Sequence, residues 1–320
     1  MSEFGWGSTT DEVLEGKDLA GMTVFITGAN SGLGQETASA MAAKGAHVVM
    51  AGRDQAKLDE AVAAIFDTVP DAKLDTITLD LGSLESIRAA TSRARQRFDK
   101  IDILINNAGV MATPFEHTHD GFERQFGTNH LGHFALTAEL MPLIERGSGT
   151  KGGGRIVNLS SRGHHMGPVH FEDPHYQNRA YDPWSSYGQS KTANVLFTVG
   201  LEQRFAVMGI HAYAVHPGGI ETNLGRHMTQ EMRDALMARI SSRDTSFAWK
   251  TIPQGAATSC WAATAEALEG KGGVYCEDCH VAETDDESAS GGVRSYALNP
   301  SFADQLWKLS EELTGAKFPS

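Results

Sequence analysis

The chain has 320 residues, 41% hydrophobic and 21% charged, a globular composition that excludes a disordered or fibrous protein. Lys and Arg number 27 against 40 Asp and Glu, a formal charge of −13, so no nucleic acid held by bulk positive charge is expected as a partner. No apolar run reaches the ~20 residues of a membrane span, the polar first twenty residues lack a signal pattern, and three cysteines cannot build a disulfide framework. The expectation is a reduced, cytoplasmic protein without a membrane anchor.

Residues 1–20 read as an arm. From Met22 onward, short β-branched runs alternate with longer helical stretches. TVFIT (23–27) precedes a helix over Gly34–Lys44, and HVVMA (47–51) precedes Gln55–Phe66. LDTITL (74–79) leads to Leu84–Phe98, DILIN (102–106) to Phe122–Glu145, and RIVNL (155–159) to Ser186–Phe205. HAYAV (211–215), a helix over Gln254–Glu266, GVYC (273–276) and a closing helix in FADQLWKLSEEL complete the series. Strands that are apolar throughout, rather than alternating, are those buried on both faces of a parallel sheet. The pattern predicts one α/β domain over 21–320: a doubly wound, seven-stranded parallel sheet with helices on both faces.

The first strand runs into Thr27-Gly28-Ala29-Asn30-Ser31-Gly32-Leu33-Gly34, followed by an Ala-rich helix. Glycines here permit a tight turn and let the backbone approach a pyrophosphate at the helix N-terminus. The spacing G-x-x-x-G-x-G is a variant of the Rossmann-type dinucleotide fingerprint. The end of the second strand selects the cofactor, because NAD wants a carboxylate for the ribose 2′-OH and NADP a cation for the 2′-phosphate. Gly52 stands where the carboxylate is expected and Arg53 follows, which favours NADP(H) over NAD(H). Asp54 reads either as a late ribose ligand or as the cap of the next helix.

Tyr187 and Lys191 lie four positions apart on a predicted helix and so share a face. A cation beside a phenol stabilises the phenolate and lowers its pKa toward the range of a general acid or base.

Taken together, these motifs resemble those of the short-chain dehydrogenase/reductase (SDR) family over residues 20 to 300. The glycine turn Thr27–Gly34, Asn106-Asn107-Ala108-Gly109, Asn129, Asn158-Leu159-Ser160-Ser161, Tyr187 with Lys191, and Pro217-Gly218 with Thr222 follow the family's order. The resemblance implies a catalytic set of Asn129, Ser161, Tyr187 and Lys191. Tyr187 passes a proton to or from the substrate oxygen, and Lys191 lowers its pKa and holds the nicotinamide ribose. Ser161 hydrogen-bonds the substrate oxygen, and Asn129 holds a water linking Lys191 to solvent. Cofactor contacts are implied for Gly28, Asn30, Ser31, Gly32, Leu33 and Gly34 in the first turn, and for Arg53, Asp80 and Leu81 around the adenosine. Asn107, Ala108, Gly109, Tyr187, Lys191, Pro217, Gly218, Ile220 and Thr222 complete them.

Ser161 and Tyr187 stand 26 positions apart, about twice the family's usual spacing. The extra segment resembles the branch of retinol-dehydrogenase-like and WW-domain oxidoreductases. The function implied is interconversion of a secondary alcohol and a ketone. A catalytically silent dinucleotide-binding regulator is the alternative, and a homo-oligomer is compatible with either. After Pro217-Gly218 the family carries a substrate lid, here about 221–252. Met232, Leu236 and Ile240 recur at i, i+4 and i+8, with Met228, Met237, Phe247 and Trp249 nearby. If this stripe lines the site, the substrate is bulky and mostly apolar; otherwise the stripe is ordinary core. Cys276-Glu-Asp-Cys279-His280 formally matches a haem-attachment pattern, but structural thiols at the sheet edge are expected, and no metal site.

Overall fold

The computed structural model describes residues 4–150, 152–243 and 248–319. Its strands are β1 (Thr23–Thr27), β2 (His47–Gly52), β3 (Lys73–Thr78), β4 (Ile103–Asn106), β5 (Arg155–Leu159), β6 (His211–His216), β7 (Val274–Glu277) and β8 (His280–Val281). They form one sheet in the order β3-β2-β1-β4-β5-β6-β7-β8. The first seven are parallel, as expected, and β8 adds an eighth, antiparallel strand at the edge. That strand was missed because its turn is hidden in the Cys-Glu-Asp-Cys-His run. Asp278 and Cys279 have φ of 47° and 58°, left-handed at both centres of a two-residue hairpin, as in a type I′ turn.

The helices are α1 (Thr10–Val13), α2 (Gly32–Ala43), α3 (Gln55–Thr68), α4 (Leu84–Arg97), α5 (Arg124–Phe126), α6 (Gly132–Ser148), α7 (Pro183–Phe205), α8 (Gln230–Arg243), α9 (Ile252–Thr264) and α10 (Pro300–Thr314). Neighbouring strand residues point to opposite faces. Val24 and Ile26 of β1 pack with Met41 of α2, Leu58 of α3 and Trp261 of α9. Phe25 between them packs on the other side with Ile87 of α4, Phe134 of α6 and Phe197 of α7. Both faces are therefore dry, which is why the strands show no polar alternation.

Two expectations change. The segment expected as an arm is folded onto the sheet's first face: a Thr9–Glu12 capping box starts α1, and Val13, Leu14 and Leu19 are buried in that core. The stretch expected as one helix over Phe122–Glu145 is broken by a π-turn at Gly127–Leu131, between α5 and α6. Such turns re-aim one side chain out of the helical repeat, and this one carries Asn129. The order of strands reverses between β1 and β4, so their carboxyl ends open the crevice in which doubly wound folds bind ligands.

Candidate active site

The dinucleotide half is organised by Thr27 at the end of β1. Its hydroxyl accepts the N–H groups of Asn107 (2.9 Å) and Ala108 (3.0 Å), clamping the turn after β4 to the glycine turn. Gly28 has φ of 66°, and a Cβ there would lie 2.9 Å from the Ala108 Cα, so only glycine closes this approach. Ser31 is the N-cap of α2, yet its side chain caps none of the helix's free N–H groups. Ser31, Gly32, Leu33 and Gly34 line a cavity of about 1360 Å³. A helix N-terminus left uncapped at a cavity fits an anion such as a dinucleotide pyrophosphate.

At the end of β2, the Asp54 carboxylate accepts the N–H of Lys57 at 3.3 Å and caps α3. The capping alternative for Asp54 is thus the one observed. A Cβ on Gly52 would lie 3.3 Å from both Asn30 Oδ1 and Leu58 Cδ2, which leaves little room for a carboxylate side chain. Arg53 is exposed and lines the cavity.

The catalytic half sits where α7 crosses the end of β5. Asp182 caps α7 by accepting the Ser185 N–H at 2.7 Å, and Pro183 opens its first turn, which sets Tyr187 about one turn and Lys191 about two turns further on. The Lys191 ammonium donates to Leu159 O at 2.9 Å, and Ser160 Oγ donates to Lys191 O at 2.9 Å, pinning helix to strand. Ser161 begins a 3₁₀ turn (Arg162–Met166) by accepting the Gly163 N–H at 3.0 Å.

Asn129 is fully buried. Its Oδ1 accepts the Val110 N–H at 2.8 Å, and its Nδ2 donates to Val110 O and Ser190 Oγ, both at 2.9 Å. The same Oδ1 lies 3.3 Å, and the Lys191 ammonium 3.8 Å, from the point a Gly109 Cβ would occupy. His133 ties the two halves together: Nδ1 meets Asn129 O and Nε2 meets Thr27 Oγ1, each at 2.9 Å. Burial holds His133 down to about 4, so it is neutral. A carbonyl only accepts, so Nδ1 carries the proton and the Thr27 hydroxyl donates to Nε2.

One sequence expectation about this pair is corrected. Tyr187 is pushed up to about 12 by burial, only partly offset by its hydrogen bond with Ser161, and burial brings Lys191 down to about 8. The ammonium is directed at Leu159 O and stands 5.7 Å from the Tyr187 ring centroid, so desolvation outweighs its attraction for a phenolate.

Each of the expected cofactor residues lines the one cavity, from Gly28, Asn30 and Arg53 through Asp80, Leu81 and the Asn107–Gly109 turn to Pro217, Gly218, Ile220 and Thr222. Ser161, Tyr187 and Lys191 line it as well, whereas Asn129 lies behind the wall. Sequence reasoning missed His133 and Gly163. Gly163 supports the Tyr187 ring directly: a Cβ there would meet Cε1 at 2.7 Å. Only a tertiary contact marks it, so no periodic signal could have found it.

Helix α8, in the segment expected as a lid, brings part of the expected stripe to the cavity. Arg233, Leu236 and Met237 line it, while Met232 is half-buried and outside the lining; the side chain of Ile240 and all of Phe247 fall outside the described residues. Arg233 reaches back to donate to Gly225 O at 2.7 Å. Met228 and Trp249 also line the cavity. Cys260, Cys276 and Cys279 are free, buried thiols, with Cys279 pushed up to about 11 by burial. Among the described residues no helix is long and apolar enough to cross a membrane.

Residues 22–233 match the model of the family described as short chain dehydrogenase. The chain belongs to that family. It is 37% identical over 318 residues to the chloroplastic short-chain dehydrogenase TIC 32 B of Brassica napus, covering 98% of this chain and 94% of that one. Over 300 residues it is 39% identical to retinol dehydrogenase 12 of Mus musculus, covering 94% and 88% of the two chains. The crystal structure of an uncharacterized protein from Mycobacterium paratuberculosis superposes with a TM-score of 0.74 at 34% identity, over 98% of this chain and all (100%) of that one. The protein is a short-chain alcohol dehydrogenase or carbonyl reductase, acting on CH–OH groups with NAD(P), and has retinol-dehydrogenase-like relatives.

Proposed function

We propose that this short-chain dehydrogenase uses NADP(H) to interconvert a bulky, mostly apolar secondary alcohol and its ketone, of steroid, aryl or lipid-like type. The observation that carries the reading is the continuity of one cavity. The glycine turn, Ser161 and Tyr187 line the same cavity as Met166, Trp184, Leu236, Met237 and Trp249. In the direction of reduction, Ser161 Oγ holds the carbonyl oxygen while Tyr187 donates its hydroxyl proton to it. When bound, the reduced nicotinamide supplies the hydride that completes the alcohol. A phenol held near 12 keeps its proton at neutral pH, which suits a donor. Lys191, held near 8, holds a proton that can be replaced close to working pH.

Arg53 at the cavity rim and Asp54 committed to capping α3 support NADP(H) over NAD(H). A relative named for retinol, an apolar primary alcohol, supports the apolar character of the substrate. Three buried, unpaired thiols accord with a cytoplasmic setting.

The test is NADPH and NADH oxidation at 340 nm over a ketone series of growing hydrophobic bulk. At about 25 cal/mol per Å², each further ~50 Å² of buried apolar surface lowers KM about eightfold. A flat series, or faster turnover of polyols than of cyclic ketones, overturns the substrate class; a wild-type preference for NADH overturns the cofactor.

A further inference from the structure

We propose that Arg226, carried by the lid and not by the sheet, completes with Arg53 and Lys57 a cationic cradle for the 2′-phosphate of NADP(H). The inference rests on the NADP(H) reading above and adds a specificity residue from an element that the dinucleotide fold does not include.

All three cations line the same cavity, in a chain whose formal charge is −13. Arg53 and Lys57 come from the end of β2 and the first turn of α3. Arg226 comes from the 3₁₀ turn Asn223–His227, which Thr222 starts by accepting the Leu224 N–H at 3.3 Å. Thr222 Cγ2 lies 3.6 Å from the Cβ position of Gly32, so this turn sits over the glycine turn. The Arg226 guanidinium is steadied by donating to Asn223 O at 3.0 Å. Its pKa is held below the ordinary value, first by burial and then by the charges of Arg53 and Arg124.

Like charges brought together at a cavity are destabilising unless something negative comes between them. Glu221 also lines this cavity. Among the described residues no carboxylate forms an ion pair with Arg53, Lys57 or Arg226. Asp54 is used as the α3 cap, and the Asp80 carboxylate accepts the Gly82 N–H at 2.9 Å. A smaller cavity of about 340 Å³, lined by Asn30, Ser31, Gln35, Lys57, Glu60 and Asn223, brings the 3₁₀ turn beside Lys57; its one carboxylate, Glu60, forms no ion pair with the three cations among the described residues. A ribose hydroxyl carries no charge to balance three cations, whereas a 2′-phosphate does.

The experiment measures binding without turnover: dissociation constants of 2′,5′-ADP and 5′-AMP by titration calorimetry, at low and moderate salt. Wild type, Arg53→Ala, Arg226→Ala and Arg226→Lys are compared, with melting temperatures checking the fold. Arg226→Ala is expected to weaken 2′,5′-ADP about tenfold and 5′-AMP less than twofold, the effect shrinking as salt rises. Arg226→Lys is expected to restore most of the loss. If wild type itself does not distinguish the two ligands, the NADP(H) reading falls and takes the cradle with it. If wild type and Arg53→Ala behave as expected but Arg226→Ala leaves the ratio unchanged, or weakens both ligands equally, the role of Arg226 alone is overturned.

Discussion

Replacing Gly163 by Ala adds one methyl group against the catalytic ring, and its consequence can be worked out from the contacts. Gly163 has no left-handed φ, so its backbone accepts alanine. The new Cβ would lie 2.7 Å from Tyr187 Cε1, 3.0 Å from Cδ1 and 3.4 Å from Ser161 Oγ. Carbon pairs rest at about 3.5–4.0 Å, so the ring and the 3₁₀ turn must separate by roughly 1 Å. Neither is free to move. Tyr187 is 4% exposed, and a Cβ on Gly188, next along α7, would already lie 2.7 Å from Met166 Cβ. Overpacking of this kind costs about 1–3 kcal/mol of stability, and a 1 Å misplacement of a reacting group costs about 10²-fold in rate. The variant is therefore expected to keep its dinucleotide affinity within twofold, because the glycine turn is untouched, and to lose kcat by about 10–100-fold. Steady-state kinetics with a saturating ketone, cofactor binding by fluorescence and a melting curve measure the three quantities. Gly149→Ala, where nothing lies within 4 Å of the new Cβ, serves as the silent control. A Gly163→Ala enzyme with wild-type kcat would show that the ring does not need this seat.

Tyr187→Phe keeps the packed ring and removes only the proton donor, so turnover is expected to fall by about 10²–10⁴-fold with cofactor affinity preserved; more than a tenth of wild-type activity would refute the assignment. Gly34→Ala would place a Cβ against Gly28 O and 2.6 Å from Asn107 Nδ2, both fixed by the Thr27 clamp. Dinucleotide affinity is expected to drop at least tenfold, read as a fluorescence Kd, and an unchanged Kd would remove the glycine turn from the cofactor site. Lys191 is held near 8 by burial against an ordinary 10.5, so between those values the unfolded chain binds a proton that the folded chain does not. Stability from this group therefore rises with pH across that window, by up to about 3 kcal/mol, and Lys191→Met is expected to flatten that part of a denaturation-against-pH curve. An identical slope in the variant would mean that the ammonium is solvated.

Seven of the strands were legible to within a residue or two, because burial on both faces writes a largely apolar run into the inner ones; β3, at the sheet edge and mostly half-buried, was legible from its β-branched residues. The order of the short motifs was legible for a related reason: a tight turn at a phosphate needs glycine, and an acid–base pair on a helix needs the i, i+4 spacing of Tyr187 and Lys191. The eighth strand was not, since Asp278 and Cys279 do not announce a type I′ turn as Asn-Gly would. Nor was the π-turn at Gly127–Leu131, which interrupts a stretch whose composition is helical throughout. Along α8 the apolar spacing found Leu236 but not Arg233, which lines the cavity and is held by the carbonyl of Gly225. Local periodicity determined the elements and the chemistry they could carry. The tertiary structure alone decided the burial that raises Tyr187 and lowers Lys191, the seat Gly163 gives the ring, and the placing of Arg226 and Arg53 in the lining of one cavity. Those depend on desolvation and on contacts between residues far apart in the chain, which a sequence read one segment at a time does not contain.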